Sequence, residues 1–496
     1  MNLRYQSFES TPPVHRKYLR WAFFLLFSFF LLLWMSPDSP IMQVWGSRGD
    51  PAWFFTCGKA WMEGLTPYVD FADSKGILLW LLNGIAYLIS PTDYVGVFCI
   101  SVLCYAVTFY FLWRISRLFV SRRLSLLILS VMSVVIMFRP VHPETKAEDF
   151  CLPWICTALY YTCALLQSPL RGEIRRGAFL TGVGMIWCLL VKWNVFFMMG
   201  GMAIVIAGIS FKKGWIDGLA FGLLGMAITA LPFVVYFLIA GNFSAFVQEY
   251  FVNTFVLTDN GAGADAFHSA LLNQFSDKYM ILRSAILYAS LVGVCLFCWR
   301  LRFSYWLVFA YLPFFLFLLL KTSALHYCST IEPFLVFPLI VVMLICSRRV
   351  QRLSAYTVCF MSGAIYLLGI IFGMHSELLC FVDNPYTQEW NAIQSIMGKK
   401  LKPKIMYNVC DYGYGTPSRA LPACKYWARQ KLATPEMDSL RVQAIRMRKP
   451  DFFCGGSNIS ADVKNFLQSC GYRQCFFTVR EGGKSVRKPL PLYIKE

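Results

Sequence analysis

Apolar runs of about 17–22 residues recur along most of this chain, each long enough to cross the roughly 30 Å hydrocarbon core of a bilayer. In lipid a spanning backbone must satisfy its own N–H and C=O groups, and runs of this length do so as helices. Of the 496 residues, 57% are hydrophobic and only 15% charged, a balance that would leave a soluble protein with large exposed apolar patches. The chain reads as a polytopic α-helical membrane protein. Its net charge of +19 does not point to nucleic acid. The basic residues fall in short clusters between the apolar runs: Arg16, Lys17 and Arg20; Arg114, Arg117, Arg122 and Arg123; Arg171, Arg175 and Arg176; Lys212 and Lys213; Arg300 and Arg302; Arg348, Arg349 and Arg352. That spacing is the bias of cytoplasmic loops.

The clusters allow a threading with spans near 20–36, 95–113, 124–138, 150–166, 177–191, 194–210, 218–240, 281–299, 304–320, 329–346 and 356–374, about eleven in all. With the N-terminus cytoplasmic, every cluster lies inside and the C-terminal region outside. The first run lacks an A-x-A cleavage site and reads as a retained signal anchor. The apolar segment 77–90 is too short to span and reads as an interfacial or re-entrant juxtamembrane helix.

The outer face then collects the unusual residues. It holds a first loop, 37–94, rich in acids and aromatics, followed by 139–149, the Lys192-Trp193-Asn194 corner, 241–280 and 321–328. Lys75, Arg139, Lys146, Lys192 and Lys321 all sit there against the topological bias, which an anionic ligand at the outer leaflet explains more simply than several snorkelling side chains. Residues 1–375 read as the membrane domain. Residues 376–496 read as a small extracytoplasmic α/β domain, with strands in KIMYNVC and PDFFCG and helices over 438–449 and 461–470. Cys380, Cys410, Cys424, Cys454, Cys470 and Cys475 lie in that domain, where the compartment permits disulfides but the sequence does not choose a pairing. No internal repeat, Walker-type loop, nucleotide fingerprint or zinc-spaced Cys/His set is visible, and the glycines of DYGYGTP read as a turn.

The first loop carries the order GD-x4-CGKAW-x2-GLTPYVDFADSKG-x-LLW. It resembles the first outer loop of the GT-C membrane glycosyltransferases, within them the branch of protein O-mannosyltransferases and lipid A aminoarabinose transferases. Ile77 and Leu78 stand where that pattern usually has Pro and Leu. The likeness extends to an acid at the start of the fourth span (KAEDFCLPW), a lysine closing the fifth (LLVKWN) and an HY pair before the tenth (ALHYCSTIEPF). It implies a sugar moved from a polyprenyl-phosphate donor to an acceptor hydroxyl at the extracytoplasmic face. The acceptor class stays open: lipid A or another glycolipid, a polysaccharide of the cell envelope, or a protein. The setting it implies is a bacterial inner membrane.

Such a transfer needs a carboxylate to take the acceptor proton, and cations to neutralise the charge growing on the leaving phosphate. Asp50 is the candidate base, matching the loop acid of the family, with Glu148 and Asp149 as second candidates, one of which would position the acceptor or hold a metal. Lys75 and Lys192, with Arg48 and Lys321 behind them, are the expected phosphate ligands. Asp70, Asp73, Tyr68, His326 and Tyr327 are candidates for holding sugar or acceptor. No cofactor is expected. Oligosaccharyltransferase-like relatives use a divalent metal, but this chain lacks a clear third acid in an outer WWD-like motif, so a metal-independent site is favoured. The alternative is a transporter or flippase of lipid-linked sugars, whose charges should lie near the bilayer midplane in broken helices.

Overall fold

The structure, a computed structural model, describes residues 14–43, 49–137, 145–254, 278–320, 325–346, 354–374, 376, 379–380, 385–429, 434–455, 459–481 and 484–496. The candidates Arg48 and Lys321 lie outside them. The longer helices run in order as α1 (Val14–Met35), α2 (Asp50–Met62), α3 (Ile77–Ile89), α4 (Val95–Arg117), α5 (Arg122–Ile136), α6 (Leu152–Gln167), α7 (Arg171–Val191) and α8 (Trp193–Lys212). They continue as α9 (Asp217–Ala240), α10 (Lys278–Leu301), α11 (Trp306–Leu320), α12 (Val336–Ile345), α13 (Ala355–Gly373), α14 (Pro385–Met397), α15 (Pro435–Arg446) and α16 (Ala461–Ser469).

The chain divides into two compact units: Met1–Met35, Ser101–Val235 and Gly261–Met374 form one, and Ser36–Ile100, Tyr236–Asn260 and His375–Glu496 the other. A single cut at residue 375 would separate the first loop from the C-terminal region; here both belong to the second unit. Among the described residues seven helices are long and apolar enough to cross a membrane: α1, α4, α7, α8, α9, α10 and α13. The other four expected spans correspond to shorter helices, α5, α6, α11 and the Glu332–Ile345 stretch, so the count of eleven does not follow from length. In the first unit α8 packs on α7 and α11, α5 on α13, and α10 on α12.

The second unit begins with a helix that the loop composition does not announce. Gly49 precedes α2 at φ 73°, ψ −128°, a backbone state suited to glycine, and Pro51 follows in the first helical turn, where its missing N–H costs nothing. From Pro51 to Ala60 the helix is buried on every side, which hides the one-faced periodicity by which a surface helix is recognised. It packs on α3 so closely that a Cβ at Gly58 would lie 2.4 Å from the backbone nitrogen of Gly84. The α3 helix, at 13 residues, rises only about 20 Å, short of a bilayer core.

The C-terminal region builds a five-stranded sheet from β1 (Lys404–Tyr407), β2 (Leu421–Pro422), β3 (Phe452–Cys454), β4 (Tyr472–Glu481) and β5 (Lys484–Lys495), in the order β2-β1-β3-β5-β4. The first three strands are parallel; β5 joins β3 and β4 antiparallel. Met406, Phe453, Tyr493 and Tyr472 from the sheet meet Ala444, Ile445 and Leu467 from α15 and α16 in one core. Thr434 and Ser460 cap those helices through their side chains. The segments expected as strands and helices are found within about three residues; β2, the long β4–β5 hairpin and α14 are additional.

An ion cluster fastens α2 and α3 to this domain within the unit. Glu63 receives Lys402, Arg419 (2.9 Å) and the hydroxyl of Tyr87, and Arg419 also donates to Tyr87 at 2.7 Å. Partial burial alone would raise the Glu63 carboxyl, but these donors outweigh it and hold it below the ordinary value of 4.5. A folded pKa below the unfolded one adds stability above the unfolded value and loses it as pH falls through the folded value. Glu63→Gln is therefore expected to lower the thermal midpoint of the purified protein at neutral pH, with the gap to wild type closing below about pH 4.5. A gap that persists unchanged into acid would assign the loss to packing instead.

Candidate functional site

Each unit carries its own polar cluster. In the first, Ala147–Phe150 forms a 3-10 turn leading into α6, the Lys192 backbone forms the extended corner between α7 and α8, and Leu325–Thr330 forms a second 3-10 turn. These three irregular segments bring the candidates together. Glu148, 1% exposed, accepts a hydrogen bond from Lys192 Nζ, and His326 Nε2 lies 3.8 Å from the same carboxylate oxygen. Lys192 Nζ also sits 4.1 Å from the centre of the Tyr327 ring. Burial pushes the Glu148 carboxyl up, but the charges of Lys192 and His326 and the Lys192 hydrogen bond outweigh it and hold the group below the usual range. Lys192 is itself buried, so it does not reach for water as a snorkelling lysine would.

Asp149 does something different from its neighbour. Its Oδ2 accepts the backbone N–H of Lys146 at 2.8 Å and so caps the turn that presents Glu148. Trp187 Nε1 donates to the Phe150 carbonyl at 3.0 Å and ties the other end of the turn to α7.

In the second unit Asp50 is the first residue of α2, half-buried, where the helix dipole favours negative charge. It follows α1 by a stretch of chain rather than directly, and stands one helical turn before Phe54 on the same face. The Lys75 ammonium lies 5.8 Å from the centre of the Phe54 ring and 3.3 Å from Ser74 Oγ. The Lys75 ammonium thus lies against a ring one turn along α2 from Asp50.

The remaining loop candidates have local tasks. Asp70 is exposed and accepts the Thr66 N–H at 2.7 Å; Asp73 accepts the Ser74 N–H at 2.7 Å. Tyr68 corrects an expectation. It is fully buried at φ 65°, packed on Trp80 and Phe246, with its hydroxyl donated to the Lys75 carbonyl at 2.9 Å. A phenol held in this way shapes the Lys75 backbone and is not presented to a sugar.

The residues beneath Asp50 went unassigned in the sequence. Asp411, 1% exposed, accepts from Thr56 Oγ1 at 2.7 Å and from the Gly413 N–H at 2.8 Å, and its backbone carbonyl takes the Gly49 N–H at 2.8 Å. Burial raises its carboxyl against the pull of Thr56, Gly413 and Lys59. Lys59, also fully buried, is lowered to about 8 by desolvation, with Asp411 and Glu63 opposing, and donates to the Gly415 carbonyl at 3.4 Å. A lysine inside a run as apolar as PAWFFTCGKAW was the available signal, and DYGYGTP held the partner. Among the described residues no group of three or more His, Cys, Asp or Glu is placed to share a metal ion.

Neither a protein-family model nor a curated protein sequence matches this chain. Solved structures do. ArnT from Cupriavidus metallidurans bound to undecaprenyl phosphate matches with a TM-score of 0.61 at 12% identity, covering 96% of this chain and 98% of that one. The same protein in the apo state gives 0.60 at 13% identity, covering 95% and 97%. The chain has the GT-C fold of ArnT. The first-loop resemblance and the three-dimensional likeness therefore agree on the fold, and the ArnT-like match extends through the C-terminal sheet.

Asp411→Ala removes two hydrogen bonds inside the second unit and leaves Lys59 without one of the two acids that oppose its desolvation. It is expected to destabilise the protein by about 1–3 kcal/mol. Thermal unfolding of equal amounts of purified protein tests this; an unchanged midpoint would contradict the role given to Asp411.

Proposed function

We propose that this protein is an integral-membrane glycosyltransferase that moves a sugar from a polyprenyl-phosphate donor to an acceptor hydroxyl at the extracytoplasmic face. The observation that carries the reading is an acid heading α2 with Lys75 over the ring one turn away, in a chain with the ArnT fold. Undecaprenyl phosphate bound to ArnT supports a donor of that class. The orientation rests on the basic clusters, which assign the loops carrying Asp50, Glu148 and Lys192 to the outside.

In this reading Asp50 takes the proton of the acceptor hydroxyl as its oxygen attacks the anomeric carbon. The bond from that carbon to the phosphate oxygen breaks, and polyprenyl phosphate leaves with the electron pair. It is a weak base and needs no proton from the enzyme, only cations to offset its charge. Lys75 is one such cation. Lys192 is assigned to anion binding within the first unit, where it donates to Glu148; an anionic ligand at Lys192 would share the ammonium with that carboxylate. His326 and Tyr327, which flank Lys192, are assigned to ligand binding beside it.

Two substitutions test the assignment in membranes holding equal amounts of protein, with transfer of radiolabelled sugar from polyprenyl phosphate as the readout. Asp50→Asn preserves shape and turn contacts but cannot accept a proton at neutral pH, so transfer should fall about 100-fold or more while donor binding persists. Lys75→Ala should weaken donor binding by about 1.5–3 kcal/mol, partly restored by Lys75→Arg. Near-normal transfer by Asp50→Asn would remove it as the base. Wild-type donor affinity in Lys75→Ala would leave that lysine a structural residue.

A further inference from the structure

A cavity of about 540 Å³ lies wholly within the first unit, walled by Phe23 of α1, Trp113 of α4 and Leu126 of α5, with Arg20 and Arg122 among its lining. It is remote from the Glu148–Lys192 cluster. Gln167, the last residue of α6, reaches the Leu118 carbonyl in the α4–α5 turn at 3.5 Å, so that end of α6 lies at the cavity's end of the unit. Glu148 stands before the other end of α6, about 24 Å along a helix of 16 residues. The cavity also lies among Arg114, Arg117, Arg122 and Arg123, a cluster that the topological bias assigns to the cytoplasm.

Three features of the lining bear on what it takes. Arg20 and Arg122 place two permanent cations at one opening, and guanidinium forks match phosphate oxygens. The lip is apolar and open to lipid, with Leu19 66% and Phe23 46% exposed. Trp113, 6% exposed, lies 5.6 Å below the Arg20 guanidinium and gives that side chain an aromatic floor in the cavity wall. Arginines that only snorkel extend to water along the helix, whereas Arg20 and Arg122 line a cavity.

We propose that this cavity binds an anionic phospholipid of the cytoplasmic leaflet. Its phosphodiester is held by Arg20 and Arg122, and an acyl chain runs along Phe23 and Leu126. Basic pockets between membrane helices on the cytoplasmic side suit such headgroups. A zwitterionic lipid brings a cation that two arginines disfavour.

The test is native mass spectrometry of the full-length protein after incubation with phosphatidylglycerol or phosphatidylcholine in mixed micelles. Wild type should retain phosphatidylglycerol at least about tenfold better than phosphatidylcholine, and R20A/R122A should lose that preference while R20K/R122K keeps part of it. Leu126→Trp, which fills the slot with both charges present, should also expel the lipid, so the proposal stays testable where the double alanine variant misfolds. R300A/R302A removes two exposed arginines from the same side of the membrane and should change nothing. Equal retention of the two lipids would overturn the site, as would a loss in R300A/R302A equal to that in R20A/R122A. Release of the lipid by millimolar inorganic phosphate would show a simple anion site and overturn it equally.

Discussion

The position of Asp50 depends on a carboxylate far along the chain. Asp411 holds the start of α2 from two sides: its main-chain carbonyl takes the Gly49 N–H, and its side chain takes the Thr56 hydroxyl one and a half turns later. Gly49 supplies the backbone turn that lets Asp50 begin a helix, and Pro51 stiffens the residue after it. A reacting group has to be held within a fraction of an ångström of its productive geometry. In the proposed reading of Asp50, that precision comes from the buried Asp411.

Both units bury a lysine, and they do so by different means. Lys192 is paired directly with Glu148 and helps hold that carboxyl below its usual range. Lys59 has a carbonyl for its hydrogen bond and feels Asp411 only through space, so burial lowers its pKa to about 8. The first arrangement preserves a cation that an anionic ligand can recruit. The second spends its charge on holding helix, loop and sheet of the second unit together, alongside the Glu63 cluster. Removing one partner of such a pair leaves the other charge buried without compensation, which is why these positions tolerate little change.

Much of this was legible in the residues, and the failures share a cause. Seven spans, the short α3 helix, the C-terminal strands β1 and β3 and the helices after them follow from run length and periodicity. The α2 helix escaped because a segment buried on all sides has no polar face to mark it. Of the four expected spans that fold into shorter helices, α6 and α12 lose length to the 3-10 turns that precede them, Ala147–Phe150 and Leu325–Thr330 with Glu332–Leu335. Glu148, Lys192, His326 and Tyr327 were suspected from the family resemblance, Lys192 also from topology, and the structure adds that they meet. Asp411 and Lys59 stayed hidden because their partnership spans a long stretch of chain that no local pattern joins. Tyr68 shows the reverse error, a residue inside a suggestive motif whose hydroxyl serves the backbone.

The central claim is that the protein consumes a polyprenyl-phosphate sugar through Asp50. The most direct measurement is the pool of lipid-linked sugars in membranes of three strains of the source organism: wild type, a deletion of this gene, and a replacement carrying Asp50→Asn at wild-type protein level. The account predicts that one polyprenyl-phosphate sugar accumulates in the deletion, and to the same extent in the Asp50→Asn strain. A pool unchanged by the deletion, or one that builds up in the deletion but stays at the wild-type level with Asp50→Asn, would contradict it.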